Sequence, residues 1–181
     1  MFVGHYAPAA ALKGVAPRVP LWHFFIAVQL LDYFWAAFII TGVERARITP
    51  GFLAASPLDL YHMPYTHSLA AALFWSALAG AIYTKLIARK SGVRGGAVIG
   101  AAVFSHWIAD FLVHARDLAI YPGSMDKLGL GLWASIPISQ SLEFGLLALG
   151  MLVYLRATEP RRRQGRWAPF VVLGAMGVAQ A

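Results

Sequence analysis

The chain has 181 residues, of which 59% are hydrophobic and only 13% are charged. Soluble domains carry about 25% charged residues, so the composition argues against an ordinary soluble enzyme or binding module. The chain has no cysteine, which excludes disulfides and thiolate ligands and leaves His, Asp and Glu as candidate metal ligands. We therefore expect one integral membrane domain that covers residues 1–181.

The N-terminal segment, residues 1–16, is apolar. It predicts a short helix that either lies in the membrane interface or re-enters the bilayer, and Pro17 and Pro20 separate it from the first long apolar block. The apolar run after Arg18 is too long for the core of a cleavable signal peptide and contains Asp32. We read this run as a retained first span.

Long apolar blocks follow in chain order, each near the roughly 20 residues that a spanning helix needs. They are Leu21–Ile40, Ser68–Ile87, Ala97–Val113 and Leu132–Leu155. A fifth, shorter block covers Trp167–Ala179. The polar segment at 42–66 reads as a loop in which Pro57 could start a short helix at Leu58. The blocks predict an all-α, polytopic membrane bundle of four or five spanning helices.

The net charge of +7 would suit a nucleic-acid partner, but its distribution does not. Eleven of the fifteen basic residues lie before the first span, between the second and third, or between the fourth and fifth. They are Lys13, Arg18, Lys85, Arg89, Lys90, Arg94, Arg156, Arg161, Arg162, Arg163 and Arg166. Successive crossings put these three segments on the same side of the membrane. This positive-inside pattern predicts a multi-pass protein of a bacterial inner membrane with a cytoplasmic N-terminus, whose basic loops meet anionic lipid head groups rather than nucleic acid.

The third block carries a stripe of ionisable side chains. On a helix, His106, Asp110, His114 and Asp117 fall within roughly an 80° arc. Ionisable groups in a membrane segment are costly without partners, and a metal ion suits a mixture of imidazoles and carboxylates. The i,i+4 spacing lets His106 and Asp110 reach one ion, although an intrahelical His–Asp hydrogen bond would use the same spacing.

Further candidates lie on the same predicted side of the membrane. His67 precedes the second span, where Ser68 can cap the helix; it is a candidate ligand or else an interfacial aromatic. Asp59 and His62 are candidates too, although loop residues of this kind are often only solvated. Asp32 needs a partner because an unpaired carboxylate within a span is unfavourable, and we expect it to be a ligand.

Two other ionisable residues are harder to place. Glu143, on the fourth span, could be a general base, a ligand or a helix-packing group. His5 begins on the predicted inner side and could reach the site only if residues 1–16 re-enter the bilayer, so the residues alone leave it out. The outer cations Arg45, Arg47 and Arg116 would suit a phosphate-bearing substrate.

The chain resembles the bacterial family of membrane-bound metal-dependent hydrolases, the inner-membrane YdjM-like group, over roughly residues 1–115. The resemblance is carried by Gly4-His5-Tyr6, Leu31-Asp32, Pro64-Tyr65-Thr66-His67-Ser68-Leu69 and Ser105-His106-Trp107-Ile108-Ala109-Asp110. It implies as ligands His5, Asp32, His67, His106 and Asp110. The ligand order is also similar to that of zinc-dependent phospholipase C, an all-helical enzyme with a zinc cluster. Apart from His114, this chain lacks the later His-rich ligands of such enzymes.

The functional expectation is a metal-dependent hydrolase near the outer leaflet, acting on a lipid-like substrate, in particular a phosphoester, through a metal-activated water. One or two zinc ions are expected, with Asp110 as the bridge if two bind, and Asp59 or Glu143 as the base. The alternatives are a lipid amidase of the ceramidase type, a metal or proton transporter, and a non-catalytic protein in which the metal only staples helices.

Overall fold

The computed structural model describes residues 3–87, 92–159 and 163–180 and is mostly helical. Within these ranges it has seven α-helices: α1 (Tyr6–Val15), α2 (Leu21–Val28), α3 (Leu30–Ile40), α4 (Leu69–Ile82), α5 (Gly92–Val113), α6 (Ile136–Ala157) and α7 (Ala168–Gln180). The basic residues Arg89, Lys90, Arg161 and Arg162, on which the charge pattern partly rests, lie outside the described residues.

Three helices in the described part of the chain are long and apolar enough to cross a membrane. They are α4 with its π-helical extension Tyr83–Ile87, α5 and α6. The first predicted span is a bent pair, α2 and α3, which meet at 44° and would make a fourth span if they cross together. The helix α7 is apolar but shorter. These helices are consistent with membrane insertion.

Small residues let α4 and α5 approach closely. A Cβ added at Gly96 would collide with the Gly80 carbonyl oxygen, and one added at Gly100 would lie 2.9 Å from the Ser76 carbonyl oxygen. Glycines at such a contact allow helix backbones to pack together within a membrane. This packing brings the start of α4, and His67 just before it, beside the C-terminal half of α5.

The segment predicted as a loop at 42–66 instead contains an antiparallel hairpin of β1 (Arg45–Leu53) and β2 (Ser56–His62), so the short helix expected at Leu58 does not form. The strands satisfy one another's backbone groups, and Arg47 stands opposite Asp59 as a cross-strand charge pair. A second, minimal sheet joins β3 (Leu118–Ala119) to β4 (Lys127–Leu128).

The hairpin and the segment between α5 and α6 contact each other at one end of the helices. The Ala55 N–H donates to the Trp133 carbonyl at 2.9 Å, and Lys127 Nζ donates to the Tyr61 carbonyl at 3.1 Å. Together these segments form a cap over the end of the bundle that carries the candidate ligands.

The helix α1 packs into the bundle. Ala7, Ala9 and Ala10 are buried, and a Cβ added at Gly150 of α6 would collide with the Ala7 backbone. At the other end of α1, the Arg94 guanidinium donates to the Val15 carbonyl at 3.0 Å. The helix thus runs from the capped end of the bundle toward the beginning of α5.

Candidate metal centre

Five ionisable side chains from four separate segments converge beneath the cap. Two overlapping groups have ligand atoms within 4.8 Å of one another: His5, Asp32 and His106, and His67, His106 and Asp110. Except for Asp32, all of them are at most 3% exposed. Buried imidazoles and carboxylates in this arrangement could hold a metal ion.

Four distances among these side chains are close to the usual spacing of ligands around one metal ion. His67 Nε2 lies 3.5 Å from both Asp32 Oδ1 and Asp110 Oδ2. His106 Nε2 lies 3.5 Å from Asp32 Oδ1 and 3.1 Å from Asp110 Oδ2. Ligands at the usual distances from a tetrahedral zinc ion are about 3.3 Å apart. The four distances are close to this value, and His67, His106 and Asp110 form one of the groups that could hold an ion.

The tautomer of His106 is set by the bend in the first span. At the break after α2, the Val28 carbonyl lies 2.6 Å from His106 Nδ1. A carbonyl only accepts, so Nδ1 carries the proton and Nε2 has a lone pair. His106 Nε2 has no hydrogen-bond partner among the described residues. It is a buried acceptor facing carboxylate oxygens, which requires a positive charge between them.

The Nδ1 atom of His67 is held in a similar way. Its Nδ1 lies 2.8 Å from Thr66 Oγ1, whose hydroxyl donates to Glu44 Oε2 at 2.6 Å. The ring therefore donates through Nδ1 and also presents Nε2 as a lone pair. Either a second proton on each ring or a bound cation supplies the missing positive charge, and a divalent metal supplies it to both rings at once.

His5 joins the group by stacking on His106, with ring centroids 3.8 Å apart and planes within 3°. Its Nε2 lies 3.2 Å from Asp110 Oδ1, and neither ring nitrogen has a hydrogen-bond partner in the described ranges. Burial lowers the pKa of His5 to about 3. The ring is therefore neutral at physiological pH, as a metal ligand must be.

His114 follows the last residue of α5 and faces the other side of the Asp110 carboxylate. Its Nε2 lies 3.4 Å from Asp110 Oδ1, and its Nδ1 lies 3.0 Å from Asp117 Oδ1. Burial opposes ionisation of the ring, but the Asp110 and Asp117 carboxylates outweigh it and raise the pKa of His114. Asp110 thus presents Oδ2 to His67 and His106, and Oδ1 to His5 and His114.

Two predicted site residues are not brought to this group. Asp59 accepts a hydrogen bond from Arg47 Nε at 2.7 Å, and His62 is exposed at the end of β2 opposite Arg45. The hairpin holds both away from the ligand atoms, so their predicted roles as base and ligand receive no support from the geometry.

A cavity of about 320 Å³ lies against the group, beneath the cap. Its polar wall contains Asp32, His67, Asp110, His114 and Glu143. Its apolar wall comes largely from the hairpin and two tryptophans: Leu58, Leu60, Met63, Trp35 and Trp133. The Asp32 side chain is 42% exposed, so the group is accessible on this side.

Glu143 combines burial with a place on the cavity wall. It is 2% exposed, and its Oε2 accepts a hydrogen bond from the Gly4 N–H at 2.9 Å. The carboxylate therefore holds the segment that carries His5 and also faces the space beside Asp110. The three outer arginines do not line this cavity, and Arg47 is paired with Asp59.

Comparisons of the chain with protein-family models, curated proteins and solved structures find no match. The centre itself offers buried imidazoles and carboxylates that could hold a divalent ion, with an accessible cavity alongside.

Proposed function

We propose that the protein is a membrane-embedded, metal-dependent hydrolase that acts on a lipid-like substrate, in particular a phosphoester. The observation that carries the proposal is the pair of Nε2 atoms on the buried side chains of His67 and His106, which face the carboxylates of Asp32 and Asp110 beside an accessible cavity. A metal that only stapled helices would need no such access, because structural sites are closed.

Zinc is the metal we propose, because imidazole and carboxylate ligands without thiolates suit it. His67, His106, Asp32 and Asp110 Oδ2 would hold one ion. If a second ion binds, its ligands would be His5, His114 and Asp110 Oδ1, with Asp110 as the bridge. Bound there, the metal would supply an activated water and polarise the phosphoryl oxygen of the substrate.

Glu143 is the base that this geometry favours. It borders the cavity with Asp32 and Asp110, whereas Asp59 is paired with Arg47 away from the cavity. In the role proposed, Glu143 accepts a proton from the attacking water, and the apolar wall formed by Leu58, Leu60 and Met63 takes the lipid portion of the substrate.

The membrane orientation that we propose follows the positive-inside rule and puts the capped end at the outer leaflet of a bacterial inner membrane. In this orientation α1 begins beside the metal group and ends near Arg94 on the cytoplasmic side. The N-terminal segment preceding α1 is then within the bundle, which differs from the cytoplasmic location expected from charge alone.

Membership of the YdjM-like hydrolases remains part of the proposal. It is supported by the convergence of the five residues that the resemblance implies as ligands, among them His5, which sequence spacing alone would have omitted. The four segments that carry these residues lie apart in sequence, and a shared function would explain why they meet.

The test is hydrolysis by detergent-purified protein of two lipids in mixed micelles: a phosphomonoester lipid and an N-acyl amide lipid. We expect chelator-sensitive release of phosphate from the first, and loss of this activity in His106→Ala but not in Asp126→Asn, an exposed loop carboxylate. Metal-dependent cleavage of only the amide would favour the amidase alternative. Stoichiometric metal without cleavage of either lipid would contradict this proposal.

A further inference from the structure

A buried carboxylate lies outside the metal group and is not explained by it. Glu44 is 1% exposed and follows α3 after a turn in which Gly42 has a φ of +74°. Its own N–H donates to the Phe38 carbonyl at 3.1 Å, which ties it to the last turns of α3. A buried carboxylate is unfavourable unless hydrogen bonds compensate for the lost hydration.

Those hydrogen bonds all come from the two residues before His67. Oε1 accepts from the Tyr65 N–H at 2.7 Å and from the Thr66 N–H at 3.0 Å, and Oε2 accepts from the Thr66 hydroxyl at 2.6 Å. Glu44 thus connects the end of the helix that carries Asp32 to the segment that carries His67.

The hydrogen bonds also have a direction. A hydroxyl has one proton, and Thr66 gives it to Glu44. The oxygen of Thr66 can then only accept from His67 Nδ1, 2.8 Å away. Since Nδ1 keeps its proton, the lone pair of the neutral ring is on Nε2, the atom that faces Asp32 and Asp110.

We propose that Glu44 is a positioning residue that sets the tautomer of His67 through the Thr66 hydroxyl and so prepares Nε2 to bind the metal. The effect on metal binding rests on the proposed function, whereas the effect on the tautomer does not. Groups that hold the second nitrogen of a ligating imidazole typically change metal affinity by 10- to 100-fold when they are removed.

Two of the other imidazoles beside Asp110 follow the same rule through different groups. His106 Nδ1 is held by the Val28 carbonyl, and His114 Nδ1 by the Asp117 carboxylate. At His67, by contrast, the group that holds Nδ1 is the Thr66 hydroxyl. A substitution at Glu44 can change whether this hydroxyl accepts a hydrogen bond from Nδ1 or donates one to it. Glu44 and Thr66 are therefore the informative pair.

Glu44→Gln is the decisive substitution because it keeps size and one acceptor. Its amide oxygen can accept from the Tyr65 and Thr66 N–H groups, which turns its NH₂ toward Thr66 Oγ1. The Thr66 hydroxyl must then donate to His67 Nδ1, which moves the ring proton to Nε2. Asp126→Asn removes one negative charge at an exposed position and is the matched control.

The tautomer is read from the ¹⁵N NMR shifts of the ring nitrogens in metal-free protein, at a pH high enough for the His67 ring to be neutral, with the His67 signals assigned by their loss in His67→Gln. We expect a protonated Nδ1 in the natural chain and in Asp126→Asn, and a protonated Nε2 in Glu44→Gln. An unchanged His67 tautomer in Glu44→Gln would overturn the proposal, whether or not the protein binds metal.

The second readout is Zn²⁺ affinity, measured by competition with a chelating indicator. We expect it to fall about 10- to 100-fold in Glu44→Gln and in Thr66→Val, and to stay near the natural value in Thr66→Ser, which restores the hydroxyl. Equal affinities in Thr66→Val and Thr66→Ser would contradict the proposal. This pair also decides the question if Glu44→Gln does not fold.

Discussion

At the scale of single residues, the centre is organised by hydrogen bonds on the outer nitrogens of His67, His106 and His114. His106 and His67 donate from Nδ1 to the Val28 carbonyl and the Thr66 hydroxyl, so their Nε2 atoms are left to face carboxylates. Two lone pairs and two carboxylates repel one another unless a cation lies among them. A divalent ion among these side chains would relieve this repulsion.

The residues of the centre were predictable to different degrees. His106 and Asp110 follow from i,i+4 spacing on one helix, because helical geometry alone places them on one face. Asp32 was identified because an ionisable side chain in an apolar block needs a partner. The sequence did not indicate a role for Glu44, because it lies after the first apolar block, Leu21–Ile40, and its contacts with Thr66 depend on tertiary packing.

Glu143 and Asp59 give a residue-scale prediction about the base. Glu143→Gln keeps an acceptor for the Gly4 N–H but cannot take a proton, so we expect hydrolysis to slow by a factor on the order of 10²–10⁴ with unchanged metal content. Asp59→Asn disturbs only the pair with Arg47 and should leave the rate near its natural value. Initial rates and metal analysis on both variants check this; the reverse ranking would assign the base to Asp59.

At the scale of elements, the N-terminal segment is what completes the group. His5 reaches Asp110 because α1 packs on α6, where Gly150 lets the Ala7 backbone approach. The sequence showed that residues 1–16 are apolar but left open where they pack, since an apolar surface can be buried against lipid or protein. The position of His5 is therefore a tertiary property.

This packing predicts a contrast between two glycines of α6. Gly150→Ala places a Cβ against the Ala7 backbone, and we expect a lower thermal midpoint, a loss of about 1–3 kcal/mol, and weaker metal binding as His5 shifts. Gly145→Ala has open space and should stabilise the helix by up to about 1 kcal/mol. Thermal unfolding in detergent with metal analysis tests both. Equal behaviour of the two variants would mean that α1 is not held by this contact.

The apolar helices were predictable at this scale, whereas the hairpin was not. The blocks that become α4, α5 and α6 are long and nearly free of charge, so their hydropathy identifies them. The strand β1 contains Pro50 and Gly51, residues that usually indicate a loop. Cross-strand pairing of Arg47 with Asp59 is visible only once the register is known.

At the scale of the whole molecule, the cap and the candidate ligands lie at one end of the helices, and Arg94 lies at the other, beside Val15. In the proposed orientation, the centre lies at the level of the outer head groups. This position suits a substrate with a polar group to be cleaved and an apolar portion that stays in the bilayer.

Labelling of introduced cysteines tests this orientation, and the chain contains no native cysteine to interfere. Met125, in the cap, is 94% exposed, and Val93, at the start of α5, is 78% exposed. In intact cells we expect an impermeant thiol reagent to modify Met125→Cys and to spare Val93→Cys until the membrane is permeabilised. The opposite pattern would place the centre on the cytoplasmic side.

The most direct test of the account is the metal content of protein purified without chelator, measured by elemental mass spectrometry. We predict at least one divalent ion per chain in the natural protein and in His62→Ala, an exposed histidine outside the group. His106→Ala and Asp110→Ala should each lose it. Absence of stoichiometric metal from the natural protein, or an equal loss in His62→Ala and His106→Ala, would contradict a metal centre at these residues.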